Sequence, residues 1–200
     1  MEYVLESTDI KDYLKSDKYI DFHDDSIRKK ADELFSSLSS ETEKIKAAYE
    51  FVRDEIYHSG DIDSERVTKS ASEVLRYKEG ICVAKSLLLA AMLRCGGIPT
   101  GLCYQKMTRG DTPDTGYSIH GLNAVFLSDK KKWIRLDARG NKQNIDAQFS
   151  TDKEKIAFPV RVAFGETDYP MIYATPHPLV MEALKRYVNR REYEFDISEI

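Results

Sequence analysis

Two hundred residues with 30 Lys+Arg against 34 Asp+Glu carry a formal charge of −4, and 42% of them are apolar and 32% charged. A chain of this length buries enough surface to fold without a disulfide framework or a metal staple. Its mild acidity argues against a nucleic-acid partner, because the basic triplets Arg28-Lys29-Lys30 and Lys130-Lys131-Lys132 lack interleaved aromatics and are expected on solvated surface.

The longest strongly apolar run, 87–93, is far too short to cross a bilayer, and the first residues lack the basic flank and apolar stretch of a secretory signal. A cytoplasmic protein without membrane contact is expected. Three cysteines, Cys82, Cys95 and Cys103, with no CxxC pair, fit reduced thiols. No repeat and no Pro/Gly/Ser-rich linker divides the chain, so one domain over 1–200 is expected.

In chain order, Ile27, Ala31, Leu34, Phe35 and Leu38 share one helical face and predict a helix over 23–38. Ser40-Glu41-Thr42-Glu43 has capping-box spacing and opens a second helix, whose stripe Ile45, Ala48, Tyr49, Val52, Ile56 carries it to about Tyr57. Residues 58–70 are polar and read as a surface loop, and a short helix starts at Ser70 with Glu73 three residues on. The most apolar helix, 82–95, is entered through Gly80 and stopped by Gly96-Gly97 ahead of Pro99; its almost uniformly apolar second half makes it the buried central helix.

Beyond Pro99 the period changes to two, with strands expected at 100–107, 120–127, 132–137 and 158–164. The connection 109–118, holding Gly110, Pro113 and Gly116, has the length of a lid beside a site. A last helix is expected from Pro178 to about Arg190. Helices first and antiparallel strands after is an α+β arrangement.

Cys82 stands at the first turn of the buried helix, where unpaired N–H groups and the positive end of the helix dipole favour a thiolate. The alternative is a small packed hydrophobe, the commoner role of cysteine and the one assigned to Cys95 and Cys103. Cys95, about 20 Å along the same helix at 1.5 Å per residue, cannot pair with Cys82. His23, His58 and His177 have no partner specified by the sequence and are expected to be solvated. A two-residue turn at Ser128-Asp129 sets Leu127 opposite Lys130 and, in the same register, His120 opposite Asp137, close enough for the carboxylate to hold the imidazole. A four-residue turn about the same centre keeps this register, whereas an odd loop or a bulge breaks it.

Cys, His and Asp supply the three roles of nucleophilic catalysis: a thiolate, a proton carrier and a carboxylate that orients the carrier. One Cys, one His and one Asp from separate elements lack the paired spacing of a zinc site, and phosphate-loop and dinucleotide signatures are absent, so neither metal nor organic cofactor is expected.

At these residues the chain resembles the transglutaminase-like superfamily, relatives of the papain-type cysteine enzymes, as a small stand-alone member of bacterial type. Ser70-Ala71-Ser72-Glu73-Val74-Leu75 followed by Gly80-Ile81-Cys82 is similar to the family's approach to its nucleophile, and Leu93-Arg94-Cys95-Gly96-Gly97-Ile98-Pro99 to its helix end. His120 and Trp133-Ile134-Arg135-Leu136-Asp137 are similar to its histidine and aspartate elements. The motif-bearing core spans about 45–140.

The resemblance implies a central helix bearing Cys82 as nucleophile, packed on an antiparallel sheet bearing His120 as general base and acid and Asp137 as orienter. It further implies cleavage or transfer of an amide bond in a peptide or protein substrate. Departures from the family pattern are Gly121-Leu122 after the histidine and Val83-Ala84-Lys85 after the cysteine. They leave open a catalytically silent module that binds a peptide or protein partner. For the oxyanion, the Cys82 N–H is the first candidate donor, with Tyr57 or Gln105 as a second.

Overall fold

Local sequence sets where each helix begins. The computed structural model describes residues 2–110 and 112–186. Helix α1 (Asp25–Phe35) starts where the Asp24 carboxylate accepts from the Ser26 N–H, and buries Ile27, Ala31 and Phe35. Helix α2 (Glu41–Glu55) carries the expected capping box, Ser40 and Glu43 each accepting from the other's backbone N–H. Helix α3 (Ala71–Tyr77) is capped by Ser70, and α4 spans Cys82–Cys95 with a left-handed Gly97 behind it. The last helix, α5 (Pro178–Arg186), follows the expected start; residues 187–190 of the expected span lie outside the described residues.

The main sheet has four antiparallel strands in the order β6-β5-β4-β7: β4 (Thr100–Thr108), β5 (Tyr117–Leu127), β6 (Lys132–Leu136) and β7 (Thr167–Asp168). Two parallel pairs form separate two-stranded sheets, β1 (Val4–Leu5) with β8 (Met171–Ile172) and β2 (Tyr57–His58) with β3 (Glu79–Gly80). One face of the sheet joins α1 to α4 in the principal core through Leu102, Tyr104, Val125 and Leu136. The alternate residues Cys103, Leu122 and Ala124 pack on the other face against Tyr13, Ile172 and Ala174. Among the described residues no helix is long and apolar enough to cross a membrane.

Three expectations need correction. The 58–70 segment does not begin as a solvated loop, because α2 ends at Glu55 and Tyr57–His58 pairs as β2 with the strand that leads into α4. Residues 158–164 form no strand. Pro159 lacks an N–H for a ladder, and the Arg161 N–H is taken by the Glu166 carboxylate, so β7 fills the sheet edge instead. The β5–β6 register is also shifted. Leu127 pairs with Lys132 across a four-residue turn, not with Lys130. The Glu41 carboxylate holds Ser128 N–H and Oγ, Asp129 accepts from the Lys130 N–H, and Lys131 sits in the left-handed region at φ 48°. A shift of two residues preserves the alternation, so His120 and Asp137 stay on one face, now as diagonal neighbours.

Candidate active site

Cys82 stands where the first turn of α4 meets β5 of the sheet. Ile81 contributes no side-chain cap to the N–H groups of the first turn of α4. On the sheet side, β5 reaches this turn only because residue 121 is glycine. A Cβ there would lie 2.8 Å from Val83 Cα and 3.2 Å from Val83 N. Gly121, a departure from the family pattern in sequence, is thus what lets the residue after the histidine meet the residue after the cysteine. Cys82 Sγ lies 3.8 Å from the Ile119 carbonyl oxygen, beside His120.

His120 is buried, and its Nε2 is 2.7 Å from Asp137 Oδ2. Asp137, fully buried one residue past the end of β6, also accepts from the Arg139 N–H (3.1 Å) and the Ala157 N–H (2.9 Å). With Nε2 committed to Asp137, Nδ1 is the His120 nitrogen left for the thiol. Phe158 stands edge-on to the imidazole at 5.1 Å between ring centroids, walling that side.

The electrostatics follow from this order. Burial by itself would raise the Cys82 thiol, but the charge and hydrogen bond of His120, with a further hydrogen bond from His58, bring it well below its ordinary value. Burial by itself would lower His120, yet the Asp137 and Cys82 charges and hydrogen bonds lift it to about 10. Burial opposes ionisation of Asp137 as well, and the His120 interaction holds it below its ordinary value. The same interactions thus favour the charged form of each partner, thiolate on Cys82 and imidazolium on His120. The other thiols differ: burial pushes Cys103 up to about 12 and raises Cys95.

The side chains meet in a cavity of about 650 Å³, within the range of ligand sites. Its lining includes Cys82, His120, Ile119, Phe158, Arg139 and, unexpectedly, His58. Tyr57 and Gln105 do not line it. Tyr57 is 60% exposed, and Gln105, the direct cross-strand partner of His120, is fully buried with no hydrogen-bond partner for Oε1 or Nε2 among the described residues. Lys85, a further departure in sequence, is buried below Cys82 and donates to the Ile56 and Arg53 carbonyls, so it ends α2 rather than serving the thiol. His58 was hidden in sequence because its neighbour Gly80 is 22 residues away and the pairing of β2 with β3 is tertiary. The apolar Ile56 before it was the one local hint that the chain had not yet left the core.

The sequence profile described as transglutaminase-like superfamily matches residues 28–138, more than half the chain, and takes in all three of Cys82, His120 and Asp137. The chain belongs to the transglutaminase-like superfamily. Among solved structures it is similar to a candidate cysteine protease from Cytophaga hutchinsonii, with 20% identity and a TM-score of 0.53, over 66% of this chain and 43% of that one. It is also similar to the periplasmic domain of TgpA from Pseudomonas aeruginosa, with 17% identity and a TM-score of 0.49, over 66% of this chain and 48% of that one. The chain thus matches less than half the length of either. No curated protein matches it. The α+β core, with the cysteine on the central helix and an antiparallel sheet against it, is the fold of this superfamily.

Proposed function

We propose that the protein is a cysteine-dependent amide hydrolase or acyl transferase that acts on a peptide or protein substrate through a thioester on Cys82. The observation that carries this reading is the chain of contacts from Asp137 through His120, Nε2 to Oδ2 at 2.7 Å, to a thiol whose ionisation is strongly favoured. A merely packed cysteine needs no such tuning.

In the first half-reaction the Cys82 thiolate attacks the carbonyl carbon, and the π electrons move onto oxygen. Collapse expels the amine, which takes the proton from the His120 imidazolium. In the second, His120 accepts the proton of water or an acceptor amine as it attacks the thioester, and Cys82 leaves as thiolate. Asp137 keeps the imidazole oriented and stabilises its charged form throughout. Three backbone and side-chain donors on that carboxylate keep it ionised and fixed.

The test is the rate of Cys82 alkylation against pH, followed by peptide mass in the parent and in His120→Ala. The expected result is a reactive plateau well below pH 8 that disappears in the variant, with Cys82→Ala lowering amide or ester turnover by several orders of magnitude. An ordinary thiol profile in both proteins overturns the catalytic reading and leaves a partner-binding module.

A further inference from the structure

Cys82 is flanked by two histidines, and they are built differently. His120 has a carboxylate on one ring nitrogen, as a proton carrier requires. His58 has instead a backbone donor: the Gly60 N–H lies 3.1 Å from its Nδ1. That contact occupies the Nδ1 lone pair and puts the ring proton on Nε2. Burial lowers His58 against the opposing pull of Cys82, and nearby Arg139 lowers it further while Asp61 raises it, so the ring stays neutral. A neutral imidazole with Nδ1 engaged cannot accept a proton from the thiol. It can only donate, from Nε2.

The placement of this donor is rigid. His58 pairs with Gly80 in the β2–β3 ladder, two residues before Cys82, and the Ser59 N–H donates to the Gly80 carbonyl at 3.1 Å. A bidentate ion pair from the Arg139 guanidinium to Asp61 holds the far side of the turn, while the Arg139 N–H holds Asp137. One residue thus ties the His58 turn to the Asp137 carboxylate. His58 and Cys82 line the same cavity, and His58 is among the groups that favour ionisation of the Cys82 thiol.

We propose that His58 is a catalytic residue, the second donor of an oxyanion hole, its Nε2–H and the Cys82 backbone N–H together holding the oxygen of the carbonyl that Cys82 attacks. The proposal rests on the thioester chemistry given above. As the Sγ–C bond forms, negative charge passes from sulfur to the carbonyl oxygen, and the His58 hydrogen bond follows it. His58 gains and loses no proton, and His120 carries every proton transfer. His58 on β2 takes the place of the Tyr57 or Gln105 side chain considered from sequence, beside the Cys82 N–H that was the first candidate.

Acylation and alkylation separate the two roles, because only acylation develops an oxyanion. The probes are p-nitrophenyl acetate, with acetyl-Cys82 followed by mass, and iodoacetamide. His58→Ala is expected to slow acetylation about 10²–10³-fold with KM little changed, the usual loss for one oxyanion donor. Its iodoacetamide plateau below pH 8 is expected to persist, which also reports an intact Cys82–His120 pair in the folded variant. His58→Gln, which restores an N–H, is expected to recover part of the rate. If His58→Ala acetylates at the parental rate, the oxyanion role is overturned and the thioester reading survives. If His58→Ala abolishes the alkylation plateau as His120→Ala does, His58 is an ion-pair partner and the proposal also fails. If the parent shows no acetylation of Cys82, the thioester reading falls and this role with it.

Discussion

Replacing Gly121 by alanine adds one methyl group at the point where sheet and helix touch, and the consequence can be worked from distances. The new Cβ would stand 2.8 Å from Val83 Cα, 3.0 Å from Val83 Cγ2 and 3.2 Å from Val83 N. Carbon atoms rest at about 3.5–4.0 Å, so β5 and the first turn of α4 must separate by about 0.7–1.2 Å. Rotating the valine relieves only the Cγ2 contact. Because Gly121 adjoins His120 and Val83 adjoins Cys82, the separation is transmitted almost undiminished to the imidazole and thiol.

Overpacking of this kind costs about 1–3 kcal/mol. For a chain of this size that corresponds to a fall in Tm of about 2–12 °C. A misplacement of about 1 Å costs about 10²-fold in rate. The assays are thermal unfolding and the pH profile of Cys82 alkylation, and Gly121→Ala is expected to lower Tm while moving the thiol back toward its ordinary range. Val83→Ala combined with Gly121→Ala is expected to give no rescue, since Val83 Cα and N remain. A Gly121→Ala protein with the parental Tm and the parental alkylation profile refutes the reasoning, as does full rescue by Val83→Ala.

Two other perturbations read the charges directly. Asp137→Asn removes the carboxylate that lifts His120, so the imidazole should fall from about 10 and the Cys82 thiol should rise. Turnover is expected to drop about 10²–10⁴-fold with loss of the low-pH alkylation plateau, and an unchanged plateau would show that Asp137 does not govern the pair. Folding stability should also carry the signature of the pair. His120, raised in the folded state, contributes stability that is present below about pH 6.5 and is lost as pH rises through about 10. Cys82, lowered in the folded state, contributes stability that is present above about pH 8.5 and is lost as pH falls through its folded value. Above about pH 8.5 the unfolded pair holds no proton while folded His120 still holds one. From about 8.5 to 10 the contribution of the pair falls by roughly 1.4 kcal/mol per pH unit. Denaturant melts of the parent against Cys82→Ala/His120→Ala measure the difference, and a difference that rises across that upper window contradicts the assignment.

Much of the architecture was written in short-range signals. The Ser40 capping box, the Ser70 cap, the largely apolar helix from Cys82 to Cys95, and the glycine stop behind it each depend on residues within a few positions of one another, and all four formed as expected. Alternation in the strands fixed which face His120 and Asp137 share, and because alternation has period two, this held even when the turn shifted the register by two residues.

What the sequence could not fix was every relation decided by packing between distant segments. The turn at 128–131 took its shape from the carboxylate of Glu41, far away in the chain. The expected strand over 158–164 became a wall over the site, because Phe158 packs on His120 and the Ala157 N–H is held by Asp137. His58 joined Cys82 through a two-residue ladder whose partner residues carry no pairing signal of their own, and Gly121 acquired its meaning only when Val83 was brought against it. Caps and periodicity are local energies, readable one window at a time. The second histidine and the close approach arise from long-range contacts, whose identity exists only once the whole chain has condensed.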